Sequence, residues 1–248
     1  MSVKTPAEIE LMREGGRRLA AIRDELAAAV KPGVKPTDIS ALAKDLIKKH
    51  DMQAVVLGYD GFPDVICVSV NECIVHGVPT AEPFRDGDVV KVDVTLGYKG
   101  FVTDSAVTVV AGGQQSPDVK RLIQGTQESL AAGIAAIKGD GTRVGDISSA
   151  VQNVLNKHKL GIIRDLVGHG LGYEIHEEPN IPNYGVAGTG PVLRTGMTIA
   201  IEPMAALGDW QIGSLKNGSI IMKDGSLGAH FEHTVLITDS GAEILTTA

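Results

Sequence analysis

The chain repeats itself, and that limits its possible folds more than any other feature. Lys31 to His50, KPGVKPTDISALAKDLIKKH, aligns without a gap on Gly139 to His158, GDGTRVGDISSAVQNVLNKH. Asp38-Ile39-Ser40 falls on Asp146-Ile147-Ser148, and Lys49-His50 falls on Lys157-His158. At nearly the same offset GDVVKVD, ending at Asp93, meets GMTIAIE, ending at Glu202. FVTDSAVTVV around Asp104 resembles AHFEHTVLIT around Glu232, and Val75-His76-Gly77 resembles Gly168-His169-Gly170. Any one match is within reach of chance. Several in the same order argue for two homologous halves related by a pseudo-twofold, spanning 1–112 and 113–248 of a single domain.

Each half opens with helices and then turns to strands. Thr5-Pro6-Ala7-Glu8 reads as a capping box with proline in the first turn. Ile9, Met12, Leu19 and Ile22 continue at helical spacing until Lys31-Pro32-Gly33 breaks the run. Thr37 is expected to start a second helix, with Ile39, Leu42, Leu46 and Ile47 on one face, and Ser116-Pro117 and Asp146 to start the counterparts. His50 and His158 close the second helix of each half, where positive charge is welcome, and read as structural or solvated. Val90, Val92, Val94 and Leu96 alternate with Lys91, Asp93 and Thr95, the period of a strand. The fold class is α+β: helices on one side of a largely antiparallel twisted sheet, twice over.

With 248 residues, 43% of them hydrophobic, the chain can bury a large core. The net charge of -7 and the lack of a Lys/Arg block argue against a nucleic-acid surface. No apolar run approaches the roughly 20 residues that span a bilayer. The N-terminal segment lacks an apolar signal core, so a cytoplasmic protein is expected. Cys67 and Cys73 lack CxxC spacing and read as buried thiols.

Two aspartates interrupt otherwise apolar strands, Asp93 in KVDVTL and Asp104 in FVTDSAVTVV, with Gly97-Tyr98-Lys99-Gly100 between them. If Gly97 pairs with Gly100, the register sets Asp93 directly opposite Asp104 on one face. Two carboxylates so placed repel unless they share a proton or a cation lies between them. The second half favours the cation, because its matching segments carry Glu202 and Glu232 and the pseudo-twofold gathers all four carboxylates centrally. His169, flanked by glycines in VGHGLG, adds a nitrogen donor, and the glycines are expected to let backbone approach metal or substrate. Four carboxylates and an imidazole suit a pair of divalent ions such as Mn, Fe, Co or Zn. Such a pair, about 3.5–4 Å apart, activates a shared water near neutral pH. The glycines around His169 are not a phosphate loop, because the following YEIHEEPNIPNYG contains prolines and cannot form the required helix. No GxSxG or HExxH motif is present.

NECIVHGVP, GYKGFVTDS, VGHGLGYEIHEEPNIPNYG, IAIEPM and AHFEHTVLIT resemble, in order and spacing, the signature blocks of the type I methionine aminopeptidases. The resemblance covers nearly the whole chain and implies the pita-bread fold around a dinuclear metal centre. It implies that Asp93 binds one ion, that His169 and Glu202 bind the other, and that Asp104 and Glu232 bridge both. It makes His76 the contact to the scissile amide and His176 the donor to the developing oxyanion. Glu202 becomes the proton acceptor and shuttle. Tyr59, Phe62 and Cys67 are expected to line a slot for an unbranched thioether side chain. His233 should point to the opposite sheet face from Glu232, while His230 shares the face of Glu232 without a family role; both read as structural.

The implied activity is removal of an initiator methionine that precedes a small residue, on the N-termini of nascent polypeptides. Ile175, where relatives commonly have Phe, and Gly218-Ser219, where many have an aromatic, leave the pocket's shape open. An X-Pro peptidase of the same fold is disfavoured because helices begin at Thr5. A type II enzyme is disfavoured because the stretch from His176 through Glu202 to Glu232 is too short for its insertion. A non-catalytic scaffold that docks on a ribosome or nascent chain is disfavoured because all five ligand types are present. Ribosome docking is compatible with catalysis, although the acidic balance offers no RNA surface. A monomer is expected.

Overall fold

The structure is a computed structural model that describes residues 1–113 and 115–247; Gln114 and Ala248, inside the range assigned to the second half, lie outside the described residues. The first half runs α1 (Pro6–Ala29), α2 (Pro36–Lys49), β1 (Gln53–Ala54), a 3-10 turn (Tyr59–Gly61), β2 (Cys67–Val70), β3 (Cys73–Val75), β4 (Val89–Tyr98) and β5 (Phe101–Val110). The second runs α3 (Pro117–Ala135), α4 (Val144–Lys157), β6 (Gly161–Ile162), β7 (Val167–Gly170), β8 (Glu177–Pro182), β9 (Thr198–Ile201) and β10 (Met204–Ala206). It continues through β11 (Ile212–Ser214), β12 (Ile220–Met222), β13 (Gly228–His230), β14 (His233–Ile237) and β15 (Ala242–Ile244).

The capping box of α1 forms as expected: Thr5 Oγ1 accepts from the Glu8 N–H, and the Glu8 carboxylate accepts from the Thr5 N–H. α2 and α4 start slightly earlier than expected, at Pro36 and Val144. Neither has a hydroxyl cap. Instead Asp38 accepts from the Lys35 N–H at 3.0 Å, and its counterpart Asp146 accepts from the Arg143 N–H at 2.9 Å. The repeat extends to other bonds. Arg18 donates to the His50 carbonyl as Arg121 does to that of His158, satisfying the C-terminal end of α2 and α4. Gly33 bonds to Phe84 as Gly141 does to Leu193, and each of those residues bonds back to the next position, Val34 or Thr142.

Every strand pair among the described residues is antiparallel. In the first half β4 pairs with β5 along its whole length and with β2 and then β1 along its other edge; in the second, the order β15-β14-β9-β7-β8 forms the largest sheet. Val90, Val92 and Val94 of β4 pack with Leu19, Ile22 and Leu26 of α1 and Ile39 and Leu46 of α2. Ile199, Ile201, Val235 and Ile237 pack in the same way with Leu122 of α3 and Ile147 and Val151 of α4. Each such side chain contributes about 1.5–3 kcal/mol on burial. The alternation of β4 therefore turns Lys91, Asp93 and Thr95 away from the helices, toward the middle of the molecule.

Hydroxyls close the seam between the halves. Thr234 Oγ1 accepts from the Asp104 N–H and donates to the Asp104 carbonyl, both at 2.8 Å. Thr108 makes the same reciprocal pair with the backbone of His230, and Ser105 donates to the Glu232 carbonyl at 2.7 Å. The segment carrying Glu232 is thereby fixed against the strand carrying Asp104.

Candidate metal centre

Asp93 and Asp104 share a face of the β4–β5 hairpin, but they are not directly opposed as the sequence suggested. The turn residues are Lys99 and Gly100, with φ of +48° and +88°, and Tyr98 pairs with Phe101. That is the doubly left-handed loop favoured in tight hairpins. It shifts the pairing so that Asp93 faces Ala106 and Asp104 faces Thr95. Parity is preserved, so the two aspartates remain diagonal neighbours on one face. Thr95 donates to Asp104 Oδ2 at 2.9 Å, a partner not foreseen in the sequence although it has the period-two spacing from Asp93.

Glu202 and Glu232 occupy breaks between short strands, Glu202 between β9 and β10 and Glu232 between β13 and β14. His233 pairs with Ile201, so the adjacent Glu232 and Glu202 arrive side by side. His169 lies within β7. A side chain at Gly168 would collide with the Ala200 carbonyl, and one at Gly170 with the Glu178 carbonyl, each at 2.4 Å. The glycines thus let β7 fit between its neighbouring strands, and the approach they permit is to backbone, in place of the expected approach to metal or substrate.

The electrostatics call for a cation. Desolvation pushes Asp93 up to about 7 and raises Asp104, Glu202 and Glu232 well above the carboxylate range, reinforced for the last three by mutual repulsion. Asp104 Oδ1 and Glu232 Oε1 are buried without a hydrogen-bond partner. His169 Nδ1 lies 2.9 Å from the Gly170 carbonyl, which assigns the proton to Nδ1 and leaves the Nε2 lone pair facing the cluster. Burial holds this imidazole down to about 4, so it is neutral and ready to ligate. Ligand atoms of Asp104, His169 and Glu232 all lie within 4.8 Å of one another, a spread that one divalent ion can gather. His169 Nε2 is 3.4 Å from Glu202 Oε1. Orphaned oxygens, a lone pair aimed inward and an oxygen-rich donor set fit divalent metal.

The cluster opens into a cavity of about 370 Å³. Asp93, Asp104, His169, Glu202 and Glu232 line it together with His76, His176, Tyr59, Phe62 and Cys67, so the residues that the resemblance assigned to the site meet there. His76 takes φ +55°, an uncommon conformation for a residue with a Cβ and one that clusters at functional sites. The Tyr59 hydroxyl lies 2.9 Å from His176 Nδ1, so Tyr59 orients a histidine as well as walling the cavity. Burial lowers the pKa of both His76 and His176. Ile175 and Gly218 also line the space. His233 Nδ1 pairs with the Thr246 hydroxyl at 2.9 Å, away from the cavity. His230, read as structural, instead lines the cavity. Its signal was its spacing of two from Glu232.

A buried carboxylate–imidazole cluster, opening on a cavity bordered by neutral histidines, defines a metal-dependent hydrolytic enzyme. The sequence pattern of Metallopeptidase family M24 matches residues 10–239. The chain is 41% identical over 244 residues to methionine aminopeptidase 1 of Bacillus subtilis, covering 98% of each. It is 42% identical over 248 residues to the methionine aminopeptidase of Clostridium acetobutylicum, again covering 98% of each. The crystal structure of methionine aminopeptidase from Thermotoga maritima superposes with a TM-score of 0.97 at 44% identity, covering 100% of both chains. Prolidase from Pyrococcus furiosus shares the fold, with a TM-score of 0.77 at 23% identity over 99% of this chain and 65% of that one. The chain belongs to Metallopeptidase family M24, in the branch of the bacterial methionine aminopeptidases. No helix among the described residues is long and apolar enough to cross a membrane.

Proposed function

We propose that this chain removes the N-terminal methionine of newly made polypeptides whose second residue is small, by hydrolysis at a centre of two divalent ions. The observation that carries the reading is the convergence of Asp93, Asp104, His169, Glu202 and Glu232 on one substrate-sized cavity, with no lysine or arginine among its lining residues. Asp93 would hold one ion and His169 and Glu202 the other, with Asp104 and Glu232 shared. Bound there, divalent ions supply Lewis acidity toward the scissile carbonyl and lower the pKa of water to near neutrality.

The protein's own groups do the rest. Glu202 accepts the proton of the attacking water and returns it to the leaving amine. If the Tyr59 hydroxyl donates to His176 Nδ1, the remaining proton of the neutral ring sits on Nε2, free to stabilise a developing oxyanion. His76 contacts the scissile amide. Tyr59, Phe62 and Cys67 form the wall against which a methionine side chain packs, with Ile175 and Gly218 setting its remaining shape. We read the chain as one catalytic domain, acting as a cytoplasmic monomer on nascent N-termini, with ribosome docking compatible with that role.

The test is cleavage of Met-Ala-Ser and Leu-Ala-Ser by purified protein, first stripped of metal and then resupplied with Mn, Fe, Co or Zn. Metal-dependent release of methionine with little leucine is expected. Equal release of both would refute the methionine slot, and no release with ions bound would favour a non-catalytic scaffold.

A further inference from the structure

We propose that His230 is a positioning residue for Glu202: its Nε2–H faces Glu202 Oε2 and closes a hydrogen bond to it in the working enzyme, so that Oε1 stays turned toward His169 and the reacting water. The inference rests on the reading of Glu202 as proton acceptor and adds the group that fixes its carboxylate plane. His230 is 2% exposed, and neither ring nitrogen has a hydrogen-bond partner. A buried imidazole left so is costly and calls for an explanation. Its Nε2 lies 3.6 Å from Glu202 Oε2 and 3.9 Å from Glu232 Oε2. Glu202 is thus flanked by two imidazoles, His169 at Oε1 and His230 at Oε2.

The two rings face the carboxylate with opposite chemistry. His169 commits its Nδ1 proton to the Gly170 carbonyl and offers a lone pair. His230 has no such carbonyl partner, and carboxyl oxygens of Glu202 and Glu232 lie 3.6 and 3.9 Å from its Nε2; ionised, as they are once metal is bound, they can only accept. The proton of His230 therefore belongs on Nε2. The ring is well anchored for this task. Its backbone N–H donates to Thr108 Oγ1 at 2.9 Å, its carbonyl accepts from the same hydroxyl at 2.6 Å, and it pairs with Met204 across β10 and β13. Met204 is two residues from Glu202, so ring and carboxylate are held by one short stretch of sheet. His233 shows the contrast: its ring is satisfied by Thr246 and leaves the cavity alone.

The experiment compares wild type, His230→Gln and His230→Leu by three readouts: peptide kinetics, Mn affinity by calorimetry, and the nitrogen chemical shifts of the histidine rings in the diamagnetic zinc-loaded protein. Gln keeps an N–H donor, while Leu has similar bulk and none. In the Leu variant kcat should fall on the order of 10–100-fold, as misplacement of a catalytic group does. KM and Mn affinity should stay within about twofold, and Gln should restore most of the rate. In the zinc-loaded wild type, where the carboxylates are ionised, the ring signal lost on substituting His230 should show a protonated Nε2 and an unprotonated Nδ1. Unchanged kcat in the Leu variant, or a proton on Nδ1, would overturn the proposal. So would a drop in Mn affinity, which would make His230 a metal ligand. Inactive wild type would refute the proposed function, while the ring shifts would still decide the tautomer.

Discussion

Asp93, Asp104, Glu202 and Glu232 are held above the ordinary carboxylate range because burial removes the water that would solvate their charge. The sign of the consequence is fixed by linkage. A group whose folded pKa is raised stabilises the protein below its unfolded pKa and loses that contribution as pH rises through the folded value. For Asp93 the window runs from 3.8 to about 7. Against an Asp93→Asn variant, chelator-treated wild type should therefore lose relative stability between about pH 4 and 7, and divalent metal should reverse the loss by replacing the protons. The comparison cancels the opposite effect of the buried histidines His169, His230 and His233. Urea unfolding of both proteins across that range checks this, and a difference that stays flat or moves in favour of wild type as pH rises would contradict it. At Glu202, Gln substitution keeps size and polarity but removes the base. The Glu202→Gln protein should fold normally and lose on the order of 10²–10⁴ in kcat. Near-normal turnover would remove Glu202 from proton transfer.

At the scale of elements, Thr234 next to β5 carries an outsized share of the seam. Thr234→Val would preserve shape while stripping both partners from the backbone of Asp104, at a cost of about 1–3 kcal/mol. An unchanged unfolding midpoint in the metal-free protein would show that the seam does not depend on this hydroxyl. The helices were legible in the sequence because their signals are local: Thr5 with Glu8, proline in the first turn, and apolar residues at helical spacing. The hairpin register was not, because it depends on which residues take the left-handed turn, and Lys99 gives no strong sign that it will. The face was legible all the same, since slipping to this pairing keeps parity and leaves both aspartates on one side. The five ligand-type residues could be read from their interruption of apolar strands and their recurrence in both halves. The face of His230 was legible from its spacing of two from Glu232, but its unsatisfied ring was not, because only the finished fold shows that no group pairs with it.

At the scale of the molecule, the two halves need each other at the metal centre. Asp93 and Asp104 come from the first and His169, Glu202 and Glu232 from the second, while hydroxyls from both close the seam. Thermal unfolding should therefore show one cooperative transition. Metal at about 100 times its dissociation constant should add about 2.7 kcal/mol, and that corresponds to a rise of roughly 5–10 °C in Tm for a chain of this size. Two separable transitions, or a Tm indifferent to metal, would contradict the shared centre. The most direct measurement is anomalous diffraction at the Mn edge from crystals grown with Mn. Two peaks in the cavity are expected, one beside Asp93 and one beside His169, with Asp104 and Glu232 reaching both. Peaks elsewhere, or none in the cavity at saturating Mn, would contradict a metal centre built from these residues.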